Sequence, residues 1–412
     1  MASSLLHSHH RPSEPVHVLR HSAHKLKGAA ACPITLQHDT HTHVGSPESE
    51  CGWPEAGPRP SLDSNLSELS LASSVELAHL FVPPELIREE DPAPPLTPSP
   101  SLTSLVRQPL PEEHHKFIKK ALRKLRPGQQ LQARKVRPLG KGGVGEVHLL
   151  ELDLPDGGRL HVAQKAIICR KYDAHRHARE LAAMEATAAC PFVLRVYGST
   201  PHGKAPYALY TEYAPLGSLH DLIQERQRLG LGPGRGRAPY FEEDEVRWLS
   251  ARVLAALAHV HGKGLVHRDV SPHNIYRSAS GHPLLADFDA AQALDEDGLA
   301  YGPAGRLAIA APEVRAAAYG GGAYGTKADM WSLGMVVLEM VSDKQLADGP
   351  RLEGCSEALR HLVLEGLLVQ QARRLDAAGA MAHPFFAAVD WAQLEFEQPP
   401  PGLRPPEAGG CP

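Results

Sequence analysis

The octet His267-Arg268-Asp269-Val270-Ser271-Pro272-His273-Asn274 decides how this chain is read. It follows an apolar-periodic stretch, Val246 to His261, that predicts a helix, and it holds an Asp and an Asn separated by four residues. A carboxylate and an amide on one short loop can set a proton acceptor beside a substrate hydroxyl and a hard oxygen beside a metal. An octet alone is a weak signal. Its weight comes from what flanks it.

Upstream, Gly140-Lys141-Gly142-Gly143-Val144-Gly145-Glu146-Val147 is a glycine loop of the kind whose backbone N–H groups approach phosphates. A dinucleotide-binding turn looks the same, but such a turn opens a helix. Here Val147 to Leu154 alternates as a strand and breaks at Pro155-Asp156-Gly157-Gly158. Leu160 to Ile168 predicts a second strand holding Val162-Ala163-Gln164-Lys165, and Tyr207 to Tyr213 a third, running into Ala214-Pro215-Leu216-Gly217-Ser218-Leu219. Downstream, the apolar run Leu284-Leu285-Ala286 ends in Asp287-Phe288-Asp289, and Ala311-Pro312-Glu313 and Asp329-Met330-Trp331-Ser332-Leu333-Gly334 follow.

In this order and spacing the pieces resemble the eukaryotic protein kinases across residues 130–393. The resemblance implies an α+β, two-lobed fold. A small antiparallel sheet with one main helix would occupy 130–213, and a mostly helical lobe 214–393. It implies transfer of the γ-phosphate of ATP, with Mg²⁺, to Ser or Thr of a protein substrate. The alternative is a pseudokinase or weakly active kinase that serves as a nucleotide-binding scaffold.

Residue roles follow from the same resemblance. Lys165 is expected on the α- and β-phosphates, paired with Glu180, which lies ten residues before Cys190-Pro191-Phe192-Val193. Gly140, Gly142 and Gly145 would cover the phosphates, and Leu139, Val147 and Ala163 would wall the adenine. Thr211 would be the gatekeeper, with the backbones of Glu212 and Ala214 on the base. Asp269 is the expected catalytic base, and Asn274 and Asp287 the magnesium ligands. Asp329 would brace the catalytic loop, and Arg374 would pair with Glu313. Phe385-Phe386-Ala387-Ala388-Val389-Asp390-Trp391 resembles the branch around cyclic-AMP-dependent kinase.

Several positions depart from the family. Ser271 stands in place of a Lys, and Arg306 in place of a Thr; Arg306 is expected to return the missing cation to the γ-phosphate. Asp289 replaces the Gly of the D-F-G triplet, restricting the backbone and adding a negative charge that either recruits a cation or repels phosphate. Residues 287–313 contain no Ser or Thr, and Tyr301 is their only hydroxyl. Asp295, Glu296 and Asp297 either supply charge to Arg268 or form a solvated turn. Tyr276 falls where a small aliphatic residue usually packs under adenine. The interval from Trp331 to Arg374 is shorter than usual, so a docking helix is expected to be reduced or missing.

Composition bounds the rest. The chain has 412 residues, 42% of them hydrophobic, enough for a sizeable core. A net charge of −4 gives no reason to expect nucleic-acid binding by the whole molecule. Its six cysteines are scattered without a CxxC pair, which reads as reduced thiols in a cytoplasmic or nuclear protein. No apolar run approaches the roughly 20 residues of a membrane span.

Residues 1–112 are rich in Ser, Pro and His without a sustained period and are expected to be disordered. The start faintly resembles an organelle transit peptide, though a flexible tail is the plainer reading. Residues 113–128 form a basic amphipathic helix and linker, stopped by Pro127-Gly128, that either meets acidic lipid or a partner or packs on the next domain. Residues 394–412 form a Pro-rich C-terminal tail, within which Pro399 to Pro406 reads as polyproline-like and solvated, and both ends are candidate docking segments for partners.

Overall fold

The computed structural model describes residues 112–126, 129–201, 206–231, 240–307, 309–342, 352 and 354–404. The expectations for 1–111, 127–128 and 405–412 lie outside the described residues.

The first lobe is an antiparallel sheet of five strands: β1 (Arg134–Lys141), β2 (Gly145–Asp153), β3 (Arg159–Ile167), β4 (Val196–Ser199) and β5 (Ala208–Glu212), in the order β1-β2-β3-β5-β4. The turn at Asp156-Gly157-Gly158 joins β2 to β3. Gly157 has φ +82, and the Gly158 N–H donates to Asp156 Oδ1 at 2.9 Å. The register pairs Gly140 with Val147, Val147 with Lys165 and Ala163 with Thr211, so the predicted adenine walls become neighbours on three strands.

Two helices cover this sheet. Helix α1 (Glu112–Arg123) carries an apolar stripe spaced for one face, and Ile118 and Leu122 are buried among Leu150, Leu152, Val162, Tyr197, Ala208 and Tyr210. That stripe is taken by the sheet, which leaves the lysines outward and no apolar face for a lipid surface. Helix α2 (Ala174–Thr187) is capped by Asp173, whose carboxylate accepts the Arg176 N–H at 2.8 Å, and it buries His177, Glu180, Ala183 and Met184.

The second lobe is mostly helical: α3 (Leu219–Arg228), α4 (Glu243–Gly262), α5 (Pro312–Ala317), α6 (Lys327–Val341), α7 (Glu357–His361), a π-helical stretch Leu362–Leu367, and α8 (Ala377–Met381). Small antiparallel strand pairs, β6 (Leu265–Val266) with β9 (Gln292–Ala293) and β7 (Ile275–Arg277) with β8 (Pro283–Leu285), hold the loop region, and β10 (Ala300–Tyr301) pairs with β11 (Ala323–Tyr324). Helix α4 is buried over most of its circumference, with Val246, Leu249, Val253, Leu254, Leu257 and Val260 in the core, so it forms the axis of the lobe.

The solvated stretch expected at 399–406 is corrected over 399–404, the part described, which packs on the helical lobe together with the residues just before it. Leu394 and Leu403 are buried in the helical core, and Leu403 sits at the end of a short 3₁₀ turn, Pro401–Leu403. Arg252 donates to the Leu394 carbonyl at 2.7 Å and pairs with Glu397, while Arg226 donates to the Gly402 carbonyl at 2.8 Å. Buried guanidinium groups waiting for carbonyl partners hold this segment down, and proline count alone does not reveal them.

Candidate active site

Strand β3 presents Lys165 toward α2. Its ammonium contacts Glu180 Oε1 at 2.7 Å and Asp287 Oδ1 at 2.7 Å. Burial opposes the charge on Lys165, but the two carboxylates outweigh it and raise its pKa above the ordinary lysine value. Burial lifts the Glu180 carboxyl and is the largest effect on it, with Lys165 pulling the other way. At Asp287 burial also pushes upward, but Lys165 prevails and the carboxyl lies below its usual range.

Glycine has a concrete function at one position of the preceding loop. A Cβ on Gly145 would stand 2.2 Å from the Ala166 carbonyl oxygen, so β2 can approach β3 there only without a side chain. The Gly142 N–H donates to the Gly145 carbonyl at 2.9 Å and closes the loop. Gly140 and Gly143 have open space around them, and a Cβ on Gly142 would make only an ordinary contact, 4.0 Å from the Gly145 carbonyl oxygen.

The catalytic loop is fixed from below. Asp329, wholly buried at the start of α6, accepts the N–H of His267 at 2.8 Å and of Arg268 at 2.7 Å, and His261 reaches the same carboxylate at 2.8 Å. These bonds sustain a positive φ of 69° at Arg268, a conformation that costs a non-glycine residue free energy. Burial keeps the His267 ring below its ordinary pKa. The neutral ring donates from Nε2 to the Ala286 carbonyl at 3.1 Å and accepts the Asp269 N–H at Nδ1 at 3.3 Å.

Asn274 donates to Asp269 Oδ2 at 2.7 Å and to the Asp269 carbonyl at 2.8 Å, which fixes the carboxylate and leaves the amide oxygen outward. The Asn274 carbonyl in turn accepts the Ala286 N–H at 2.8 Å, one residue before Asp287. Hydrogen bonds thus join Lys165 to Glu180 and Asp287, and Asn274 to Asp269, and the backbone of Ala286 links the two groups. Burial lifts the Asp269 carboxyl above its usual range, against the Asn274 bond and the charge of Arg306.

Other predicted residues fall nearby. Leu139 and Val147 are half-buried, and Ala163 and Thr211 are buried. Glu212 ends β5, where its N–H is given to the Arg195 carbonyl at 2.9 Å, and Ala214 lies just beyond, packed with Leu194, Leu284, Ala286 and Tyr276. Arg306 is exposed and donates to His273 Nδ1 at 3.1 Å, with Gly305 against the Asp269 carboxylate. Glu313 takes both nitrogens of buried Arg374.

Two open questions are resolved by contacts. Arg268 donates to the Ala290 carbonyl at 2.6 Å, the Tyr301 carbonyl at 3.0 Å and the Tyr324 hydroxyl at 3.1 Å. Asp295 instead accepts the N–H groups of Asp297 and Leu299 and the Tyr301 hydroxyl, so 295–299 is a turn and supplies Arg268 with no charge. The extra carboxylate of Asp289 meets Arg176 of α2 through both oxygens.

Sequence reading missed Arg176, Tyr172, Gly305 and His261. Arg176 carried a signal, a cation four residues before Glu180 on one helix face. Tyr172, which donates to Glu180 Oε2 at 2.6 Å, carried none.

Comparison with known proteins agrees with this geometry. The family model described as the protein kinase domain matches residues 133–386. The chain is 26% identical over 294 residues to the probable cAMP-dependent protein kinase catalytic subunit of Encephalitozoon cuniculi, covering 66% of this chain and 84% of that one. It is 30% identical over 300 residues to the serine/threonine-protein kinase SCH9 of Candida albicans, covering 66% of this chain and 35% of that one. Likeness to ribosomal protein S6 kinase alpha-4 of Mus musculus is 25% over 301 residues, with 66% and 37% covered. The chain thus spans little more than a third of the length of two of these relatives. With a protein kinase domain model matching most of its length and the loop, lysine and acids assembled as above, this chain belongs to the eukaryotic-type protein kinases, with features of the cyclic-AMP-dependent branch.

Proposed function

We propose that the chain transfers the γ-phosphate of Mg-ATP to Ser or Thr hydroxyls of a protein substrate. The observation that carries this is the seating of Lys165 between Glu180 and Asp287, linked through the Ala286 backbone to Asn274 and Asp269.

The donor set suits magnesium. Asp287 gives Oδ1 to Lys165, and its side chain is 40% exposed. Asn274 spends its N–H group on Asp269 and keeps its oxygen. Among the described residues no cluster of three or more His, Cys, Asp or Glu could hold a metal, which fits an ion that takes its remaining ligands from phosphates and water. Bound there, the ion would neutralise charge on the transferring group.

The chain's own residues do the rest. Lys165 draws on phosphate oxygens while Glu180 fixes its position. Asp269, held by Asn274, receives the proton of the attacking hydroxyl; its lifted pKa brings it nearer to neutrality, where a base works best. Arg306 stands beside that carboxylate and supplies the cation that Ser271 lacks.

A scaffold reading is favoured by one observation: the Ser271 hydroxyl is buried and has no hydrogen-bond partner, so the catalytic loop carries no cation of its own toward the γ-phosphate. Transfer from radiolabelled ATP, compared between wild type and Asp269→Asn, separates the two. A loss of about a hundredfold or more in the variant supports the kinase. Equal signal, or magnesium-dependent ATP binding without transfer, supports the scaffold. The thiols of Cys169 and Cys355, which form no disulfide, support a reducing compartment, cytoplasm or nucleus, as its place of action.

A further inference from the structure

The pair Arg176–Asp289 has no part in the phosphate chemistry described above, yet it joins the two elements on which that chemistry depends. Asp289 follows directly on Asp287-Phe288, and Arg176 is the third residue of α2, the helix that carries Glu180. The guanidinium meets the carboxylate in a two-pronged contact, Nε to Oδ1 at 2.5 Å and Nη2 to Oδ2. Such a fork fixes direction as well as distance.

The placement of the cation is itself informative. The first turn of a helix disfavours positive charge, and α2 has no acidic residue there to offset it. The capping carboxylate of Asp173 accepts the Arg176 N–H, and residue 289 meets the guanidinium from outside the helix. The side chain of Asp289 is 12% exposed and that of Arg176 33%, so the pair is partly shielded from solvent.

The contacts also form a circuit. From Asp289 the path runs to Arg176, whose guanidinium lies 5.4 Å from the Tyr172 ring. The Tyr172 hydroxyl donates to Glu180 Oε2 at 2.6 Å, and Glu180 holds Lys165, which holds Asp287. Both ends of the Asp287-Phe288-Asp289 triplet are thus tied to one face of α2, with Phe288 buried between them.

The segment that follows offers no Ser or Thr for phosphorylation, and Tyr301 already donates to Asp295 at 2.6 Å. Arg268, the cation that a segment phosphate could meet, is occupied by two carbonyls and the Tyr324 hydroxyl. We propose that Arg176 and Asp289 are positioning residues: their fork holds α2, and with it Glu180, against Lys165, so that the site is assembled with no phosphate on residues 287–313. This rests on the kinase reading above.

The test uses the full chain as wild type, Asp289→Asn, Arg176→Ala and the double variant. Two readouts are taken: kcat for phosphate transfer, and amide hydrogen exchange of residues 174–187. Asp289→Asn keeps the side-chain shape, so it remains informative if Arg176→Ala does not fold. The expected result is a fall in kcat of about tenfold with faster exchange in α2, the double variant being no worse than either single one. Phosphatase treatment of wild type should leave kcat unchanged.

Wild-type kcat and exchange in Asp289→Asn would overturn the proposal. So would lost activity with unchanged exchange, faster exchange with unchanged activity, additive losses in the double variant, or inactivation by phosphatase. If wild type itself transfers no phosphate, the kinase reading fails. Exchange then judges the clamp alone: faster in Asp289→Asn supports it, and unchanged overturns it.

Discussion

Asp329 shows how much one carboxylate can fix. It lies some 60 residues beyond the catalytic loop in sequence (the loop N–H donors are 62 and 61 residues away), yet it receives two successive N–H groups of that loop. Burial alone would push its pKa up, but the bond from His261 and the neighbouring charges prevail, and the carboxyl stays below its usual range. Removing it strands two buried donors and releases the strained turn at Arg268. Asp329→Ala is therefore expected to cost about 3 kcal/mol in stability and to lower kcat. Urea unfolding of the variant against wild type checks the first part, and a loss below about 1 kcal/mol would contradict the account. At this scale the sequence was most legible. Lys165, Glu180, Asp269, Asn274 and Asp287 were all named from motifs, because each motif carries its own spacing. What escaped was Arg176, since a cation on a helix surface resembles any solvated one until the carboxylate facing it is known.

At the scale of an element, the turn after α8 carries a pH-sensitive cap. His383 accepts the Phe385 N–H at Nδ1 at 3.2 Å and shares its other nitrogen with His361 at 2.9 Å. Burial, with His361 beside it, pushes its pKa down to about 4. An unfolded histidine titrates near 6.5, so between those values the unfolded chain binds the proton and the folded chain does not. Stability therefore falls as pH drops from about 6.5 toward 4 and levels off below, a loss on the order of 3 kcal/mol from this group. His383→Asn keeps a capping oxygen and cannot protonate. Its unfolding free energy is expected to fall less steeply than that of wild type across this window, as measured by urea titrations at a series of pH values. Parallel slopes would mean that the cap does not carry the effect. Element reading from sequence was good for β2, β3 and α4, where the apolar period is unbroken. It failed for residues 399–404, because a proline-rich stretch looks solvated unless one knows that Arg226 is buried and meets the Gly402 carbonyl.

For the molecule as a whole, the sheet of the first lobe is closed on its outer side by α1, which precedes residue 133, where the family match begins. Leu131 donates its N–H to the Tyr210 hydroxyl at 3.0 Å, and Gln164 donates to the same oxygen at 3.1 Å, so the connection out of α1 is anchored on β3 and β5. Without the helix, Leu150, Leu152 and Val162 would face water. Ile118→Ala with Leu122→Ala removes most of the buried stripe, and each large-to-small change at a buried site costs about 2–5 kcal/mol. The pair sits one turn apart and shares partners, so the two costs need not add. A combined loss of about 4 kcal/mol or more is expected, read as a lower midpoint in thermal unfolding. Lys120→Glu with Lys124→Glu, on the outward face of the same segment, should leave that midpoint within a degree or two. If the lysine variant destabilised the protein and the apolar one did not, α1 would be acting through its charge, and the first lobe would not depend on it for its core.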